Sequence, residues 1–327
     1  MAQIIITGST GHIGNNFVRY LLENYPNIKI KLVVRNINDL AIKNFDVEKI
    51  VGDITDNSFL EKNIEKDTII VHSAGFIDIT NKEKDKLEQI NFIATKNLID
   101  ICIKKQVKKF IYISSVDAIY KPDKGKIQEP NDLYPDLLVS EYGKSKAKAT
   151  KYLLEKIVNQ EIKGTIIYPS AVIGPYDYKV SSIGQVLVDN IHNRIMARMK
   201  GGYNFIDVRD IASVLAYSCF NEVGYSYLVT GECISIDELF LIIKNKLNKK
   251  RLPLKLPLWF VIFISNFIGI YYKIRKIKPV FTKFAIKTLN TNCDYDNTLA
   301  IKELKLNNRP VKESIEDAID WFINNGY

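Results

Sequence analysis

Three glycines at three-residue spacing, Gly8, Gly11 and Gly14, constrain this chain more than any other feature. Ile4, Ile5 and Ile6 precede them as a short β-branched run, which reads as a buried strand. From Ile13 onward apolar residues recur at helical spacing, at Phe17, Val18, Leu21 and Leu22. The order is strand, glycine turn, helix. Gly8 permits the tight turn, Gly11 lets a pyrophosphate approach the backbone, and Gly14 lets the helix pack close on the strand. The free N–H groups and positive dipole end of such a helix suit a phosphate, so the turn points to a dinucleotide. The spacing is G-x-x-G-x-x-G rather than the commoner G-x-G-x-x-G.

The rest of the chain continues the alternation. Strands are expected at Lys29 to Val34, Val47 to Val51, Thr68 to Val71, Lys109 to Ile113 and Thr165 to Tyr168. Helical patterns lie between them, the longest over Asp85 to Lys105 and Val139 to Asn159. Such alternation implies right-handed βαβ units and a parallel sheet covered on both faces. The expected fold is α/β, a doubly wound parallel sheet of Rossmann type, with a smaller mixed C-terminal substrate lobe. Residues 1–175 would form the dinucleotide-binding domain. Residues 176–327 would form mainly the lobe, with segments returning to the sheet.

The chain carries a formal charge of +9, but its basic residues are scattered and no dense basic tract interleaves with aromatics. Nucleic-acid binding is therefore not expected. Cys102, Cys219, Cys233 and Cys293 form no C-x-x-C pair, and only three histidines are present, so no metal site is expected. Reduced thiols, no secretory leader pattern and a cytoplasmic location are the corresponding expectations.

Residues with chemical potential cluster at the expected carboxyl ends of strands, where open α/β sheets bind ligands. Ser114-Ser115 ends the fifth strand, where a hydroxyl could orient a substrate carbonyl; a strand-end cap is the alternative. Tyr142 and Lys146 stand at i and i+4 on a helix and so face the same way. A free phenol has a pKa of about 10, too high for proton transfer at neutral pH. A neighbouring ammonium and a positive nicotinamide ring would favour its phenolate.

Taken together, the chain resembles the extended short-chain dehydrogenases/reductases, the NAD-dependent epimerase/dehydratase family. The matching pieces are Thr7 to Gly14, Gly52-Asp53-Ile54, His72 to Gly75, Ser114-Ser115, Tyr142 to Lys146 and Pro169 to Pro175, with weaker similarity through Phe205 to Ala212 and beyond. The resemblance implies an enzyme with Tyr142 as acid/base, Lys146 supporting it and holding the nicotinamide ribose, and Ser115 orienting substrate, with Ser114 as the fallback. It implies that Gly8, Thr10, Gly11, His12, Ile13 and Gly14 cradle the pyrophosphate, that Asp53 and Ile54 meet the adenine, and that Ala74, Gly75, Ser114, Pro169 and Val172 line the cofactor. Asn91 is a candidate support behind the site. A homodimer is common in the family.

Departures narrow the branch. Sugar-nucleotide epimerases carry Ser or Thr four residues before the tyrosine of an S-x-x-x-Y segment; the matching position before Tyr120 is Val116. Sugar 4,6-dehydratases carry Thr-Asp-Glu where this chain has Val116-Asp117-Ala118. The serine pair followed by Val-Asp is closer to the dihydroflavonol 4-reductase and 3β-hydroxysteroid dehydrogenase branch. Phe76, Tyr176, Tyr178 and Tyr203 would suit an apolar or ring-bearing small-molecule substrate, or serve as core. The expected activity is hydride transfer between nicotinamide C4 and a carbonyl or carbinol carbon. A nucleotide-sugar epimerase is the first alternative, and a non-catalytic dinucleotide-binding regulator the second.

Two further expectations concern binding. An acidic residue usually follows the second strand in NAD sites, but Val34-Arg35-Asn36 stands here. Arg35 can face a 2′-phosphate, so NADP(H) is favoured over NAD(H). Leu258 to Tyr272 is mostly apolar, with basic residues after it, but shorter than the ~20 residues of a spanning helix. A lobe-capping helix is expected, with an interfacial membrane contact as the alternative.

Overall fold

A computed structural model describes residues 3–327 except 79, 196 and 258–288. The apolar stretch from Leu258 to Tyr272 therefore lies outside the described residues. Among the described residues no helix is long and apolar enough to cross a membrane.

The central sheet is built from β1 (Gln3–Thr7), β2 (Lys29–Val34), β3 (Glu48–Val51), β4 (Ile69–His72), β5 (Lys109–Ile113), β6 (Gly164–Pro169) and β10 (Ser226–Val229). All seven are parallel, in the order β10-β6-β5-β4-β1-β2-β3. The order reverses between β1 and β4, which opens a crevice at their carboxyl ends. This is the doubly wound Rossmann-type sheet expected from the alternation.

Both faces of the sheet are dry except at the edge strand β3, which is why its inner strands read as continuous apolar runs. Ile4 and Ile6 enter the core shared with α1 (His12–Asn24) and α7 (Val208–Phe220), while Ile5 enters the opposite core. Phe110 and Tyr112 join that second core, against α4 (Ala94–Lys105) and α5 (Glu141–Val158); Ile111 and Ile113 join the first. The expected helix over Asp85 to Lys105 is interrupted. α3 (Lys84–Leu87) leads into a π-helical turn over Glu88–Ile93 before α4 begins. Apolar periodicity does not register one widened turn.

Beyond residue 175 the chain divides its contributions. β10 joins the sheet beside β6, and α7 covers one face. The remainder packs as a separate apolar cluster over the sheet's carboxyl edge. It contains α6 (Ser182–Ile191), β9 (Gly202–Asp207), α8 (Ile236–Lys246) and α10 (Val311–Asn324). β9 pairs parallel with β7 (Ala171–Ile173) and antiparallel with β11 (Glu232–Ser235). The short β8 (Ala197–Arg198) and β12 (Leu254–Lys255) pair beside it, and α9 (Thr298–Leu304) returns against β10.

The expectation of reduced thiols is corrected at one pair. Cys233 on β11 and Cys293 are disulfide-bonded, with Cα atoms 6.3 Å apart. The two cysteines are sixty positions apart in sequence, so spacing alone does not reveal the pair. Cys102 and Cys219 are free and buried.

Candidate active site

The glycine turn sits where β1 meets the crevice. Gly8 has φ +78°, and a Cβ there would lie 2.4 Å from the Ala74 backbone nitrogen. A Cβ on Gly14 would lie 2.4 Å from the Gly8 carbonyl oxygen, so strand and helix touch backbone to backbone. Gly11 caps α1 without a side-chain partner, leaving the first amides of the helix to face outward. His12 is tethered sideways, its Nε2 3.0 Å from the Pro175 carbonyl, which Asn16 also reaches at 3.1 Å. The residues fit a dinucleotide: they leave a backbone cradle that any side chain would fill.

The serine pair splits into two roles. Ser114 turns away, its Oγ 2.7 Å from Thr150 Oγ1 on α5. Ser115 accepts a bond from the Asp117 backbone N–H at 3.1 Å and hydrogen-bonds the Tyr142 phenol. α5 starts immediately before that phenol because Ser140 caps it, accepting from Gly143 N–H at 3.2 Å. Gly143 is close-packed for a reason: a Cβ would lie 2.4 Å from the Asp117 carbonyl.

Lys146 lies one turn further along. Its ammonium donates to the Ile113 carbonyl at 2.8 Å and lies 4.8 Å from the centre of the Tyr112 ring. The side chain is buried, which lowers its pKa from 10.5 to about 7. Burial also pushes Tyr142 upward, Asp117 adds to the rise, and the bond from Ser115 opposes it. Of the two influences expected to favour the phenolate, an ammonium and a positive nicotinamide ring, the ammonium by itself does not offset burial. The same burial disfavours the charged form of Lys146. His72 behind them is buried between Thr7 at 2.7 Å and Thr95 at 2.9 Å, and burial and then Lys146 depress it to about 3, so it is neutral.

Asn91 is not an exposed helical asparagine. The π-helical turn directs it inward, where it exchanges two 2.8 Å bonds with the Phe76 backbone and donates to Ser145 at 3.0 Å. It fixes the strand end carrying Gly75, whose own Cβ would lie 3.4 Å from both Asn91 Oδ1 and Lys146 Nζ.

These groups share one cavity of about 460 Å³, within the ordinary range of small-molecule sites. Its wall brings together Gly8, Gly11, His12, Ile13, Gly14, Gly75, Ser114, Ser115, Tyr142, Lys146, Pro169 and Val172. Thr10, Arg35, Asp53, Ile54 and Ala74 lie outside that wall. Arg35 stands exposed just past β2, and Asp53 caps its own turn, accepting from Thr55 at 2.9 and 2.8 Å. The far end of the cavity is lobe: Ile183, Val186, Ile195, Met199, Phe205, Ile236, Leu239, Phe240 and Leu289.

Of the four aromatics expected near the pocket, Tyr203 lines it and the other three do not. Tyr176 lies under the Arg19 guanidinium at 3.8 Å, and Tyr178 meets Trp321 edge-on at 5.0 Å. Both fasten the lobe to α1. Phe76 instead lies under the Lys86 ammonium, at 4.2 Å.

Sequence reading passed over a polar group in the wall. Lys121 pairs with Asp117 at 3.0 Å and hydrogen-bonds Tyr295. Burial opposes its charge, but Asp117 and Tyr295 outweigh burial and hold the lysine above its usual value. Tyr295 reaches this wall from a distant part of the chain, through a bridge to Ile127, so no local signal marks it.

Comparison with known proteins agrees with this geometry. The chain is 26% identical to the sterol demethylase protein B of Methylococcus capsulatus, covering 98% of each. It is 23% identical to an Arabidopsis thaliana 3beta-hydroxysteroid-dehydrogenase/decarboxylase, covering 97% of this chain and 79% of the relative. The crystal structure of gox2253 superposes with a TM-score of 0.84 at 26% identity, covering 100% of this chain and 99% of that one. Residues 4–224 match the model of the NAD dependent epimerase/dehydratase family, and the chain belongs to that family.

Proposed function

We propose that this chain is an NADP(H)-linked oxidoreductase that interconverts a carbonyl and a carbinol on an apolar, ring-bearing small molecule. The observation that carries the reading is the composition of the cavity: the Tyr142 phenol and the Ser115 hydroxyl at the sheet edge face a lobe wall made mainly of aliphatic and aromatic side chains. The relatives named for sterol and hydroxysteroid chemistry support the same substrate class.

When bound, the nicotinamide supplies or accepts the hydride. Ser115 donates to the substrate oxygen and holds it beside Tyr142. In reduction the Tyr142 phenol gives its proton to the oxygen as negative charge develops there; in oxidation the phenolate removes it. Lys146 stabilises that phenolate and holds the ribose. The lobe wall excludes water from the reacting carbon.

A nucleotide sugar suits the described wall less well. Its diphosphate asks for uncommitted cations, and those of the wall are engaged: Lys121 with Asp117, Lys146 with Ile113, and Arg198 with Asp237 at 2.7 Å.

The test is a substrate screen followed at the reduced nicotinamide absorbance, comparing hydroxysteroids and flavanonols with UDP-sugars. Net cofactor turnover on the apolar set supports the reading. Sugar interconversion without net turnover would replace it with an epimerase.

A further inference from the structure

We propose that Lys179, carried by the lobe, forms with Arg35 and Thr10 a subsite for the 2′-phosphate of the cofactor's adenosine. The inference rests on the NADP(H) reading and assigns it a residue from a different part of the fold. Lys179 lies between β7 and α6, in a turn that crosses back over α1. Its ammonium donates to the Thr10 hydroxyl in the glycine turn and stands 3.9 Å from the Asp39 carboxylate beyond β2. Arg35 is close enough to act on it electrostatically. Four side chains from the glycine turn, the end of β2 and the lobe thus converge where this fold places the adenosine ribose.

The turn that carries Lys179 is held from several sides. Pro175 is tied to His12 and Asn16 at 3.0 and 3.1 Å. Tyr176 is covered by Arg19, and Tyr178 accepts from Arg19 at 3.2 Å. The buried Asp177 carboxylate accepts from Ser181 N–H at 2.7 Å. Tyr176 and Val180 take left-handed backbone, φ +66° and +46°, an uncommon conformation for such residues that only surrounding packing maintains. Lys179 is thereby presented over the glycine turn by a fixed scaffold.

Charge gives the ligand class. Lys179 pairs with one carboxylate, Asp39, whose other oxygen accepts from the Ala41 N–H at 3.0 Å, and Arg35 acts on the same ammonium electrostatically. Among these four residues one positive charge is in excess. Burial pushes the Lys179 ammonium below its usual value, Asp39 opposes this, and Arg35 adds to it. A phosphomonoester would relieve that repulsion, meeting a planar fork, a point charge and the Thr10 hydroxyl. The pyrophosphate is served separately, by the amides that follow Gly11.

The experiment titrates NADPH, NADH and 2′,5′-ADP against wild type, Lys179→Met and Lys179→Arg by ligand fluorescence or calorimetry, with a melting curve for each variant. Expected is a loss of roughly 10- to 100-fold for NADPH and 2′,5′-ADP in Lys179→Met, less than about threefold for NADH, and retention of the preference in Lys179→Arg. Three results overturn the inference. Equal losses for both dinucleotides would make Lys179 a pyrophosphate or lobe-fastening residue. An unchanged NADPH preference in Lys179→Met would remove Lys179 from the subsite while leaving the cofactor reading intact. Tighter binding of NADH by the wild type would remove the cofactor reading, and the subsite with it.

Discussion

Replacing Lys146 by Met should make this protein more stable and inactive at once. Lys146 is only 4% exposed, and its environment lowers its pKa from 10.5 to about 7. A lysine whose folded pKa lies below its unfolded value disfavours the charged form in the fold. The cost is complete below pH 7, shrinks as pH rises, and vanishes above 10.5. At about 1.4 kcal/mol per pH unit, the displacement from 10.5 to about 7 sets an upper bound of about 5 kcal/mol. Met fills the same volume without the charge. It also deprives the Ile113 carbonyl of its 2.8 Å donor, which costs about 1–3 kcal/mol for a buried acceptor. The expected net gain at pH 6 is about 1–3 kcal/mol, or roughly 2–5 °C in melting temperature for a chain of this size. Melting curves of both proteins from pH 6 to pH 10, without cofactor, read it directly, and the gap should close with rising pH. A Met variant less stable than wild type at pH 6, by an amount independent of pH, would show that Lys146 is not held against its charge.

Tyr142→Phe should lower kcat by about 10²–10⁴ and leave the cofactor Kd nearly unchanged, because the ring stays and only the transferable proton goes; kcat within threefold of wild type would remove Tyr142 from catalysis. Gly14→Ala should cost at least about 1–3 kcal/mol and abolish cofactor binding, since its Cβ would lie 2.4 Å from the Gly8 carbonyl, a backbone atom that cannot swing aside; a melting curve and a cofactor titration check both. Asp210, 5% exposed on α7, has its pKa raised from 3.8 to about 6, by burial first and then by Asp207, against the opposing 2.7 Å bond from Arg309 N–H. The fold therefore favours its protonated form, and that contribution is lost as pH rises through 6. Asp210→Asn should accordingly unfold at higher urea than wild type at pH 8, with a smaller difference at pH 5; the reverse order would place Asp210 in a net favourable ion pair with Arg309.

Much of the site was legible because its chemistry is attached to local signals. The glycine turn, the serine pair and the Tyr142–Lys146 pair each lie within a few residues, and strand ends are marked where β-branched runs stop. The sheet followed from alternation alone, since parallel strands need crossovers and both faces must be dry. What was not legible depends on distant chain segments meeting. Asp117 and Lys121 are four apart outside a regular helix, and Tyr295, which joins them, comes from a distant segment. Asn91 carries no sign of the widened turn that buries it. Cys233 and Cys293 stand sixty positions apart and meet only in the folded chain. Tyr176 and Tyr178 looked like pocket aromatics but belong to the contact between α1 and α10, since the turn carrying them crosses α1 before the lobe begins.

The cavity and the groups behind it are close to electrical neutrality by several independent means. His72 is neutral because it is buried, Tyr142 keeps its proton, Lys146 gives its proton up near pH 7, and Asp117 and Lys121 cancel one another. A wall in that condition offers an apolar ring system no uncompensated charge to desolvate. It also makes the proton inventory of the site depend on what binds. Placing hydroxyls or negative charge beside Lys146 favours its ammonium, and an ammonium there is what lowers the cost of a Tyr142 phenolate. The expectation drawn from the i, i+4 spacing, that lysine activates tyrosine, is then a prediction about the loaded site. Ligand binding near pH 8 should then take up protons, which calorimetry in two buffers of different ionisation enthalpy measures. Binding that exchanges no protons between pH 7 and 9 would mean that Lys146 holds the same charge before and after, and that Tyr142 is tuned by Asp117 and Ser115 alone.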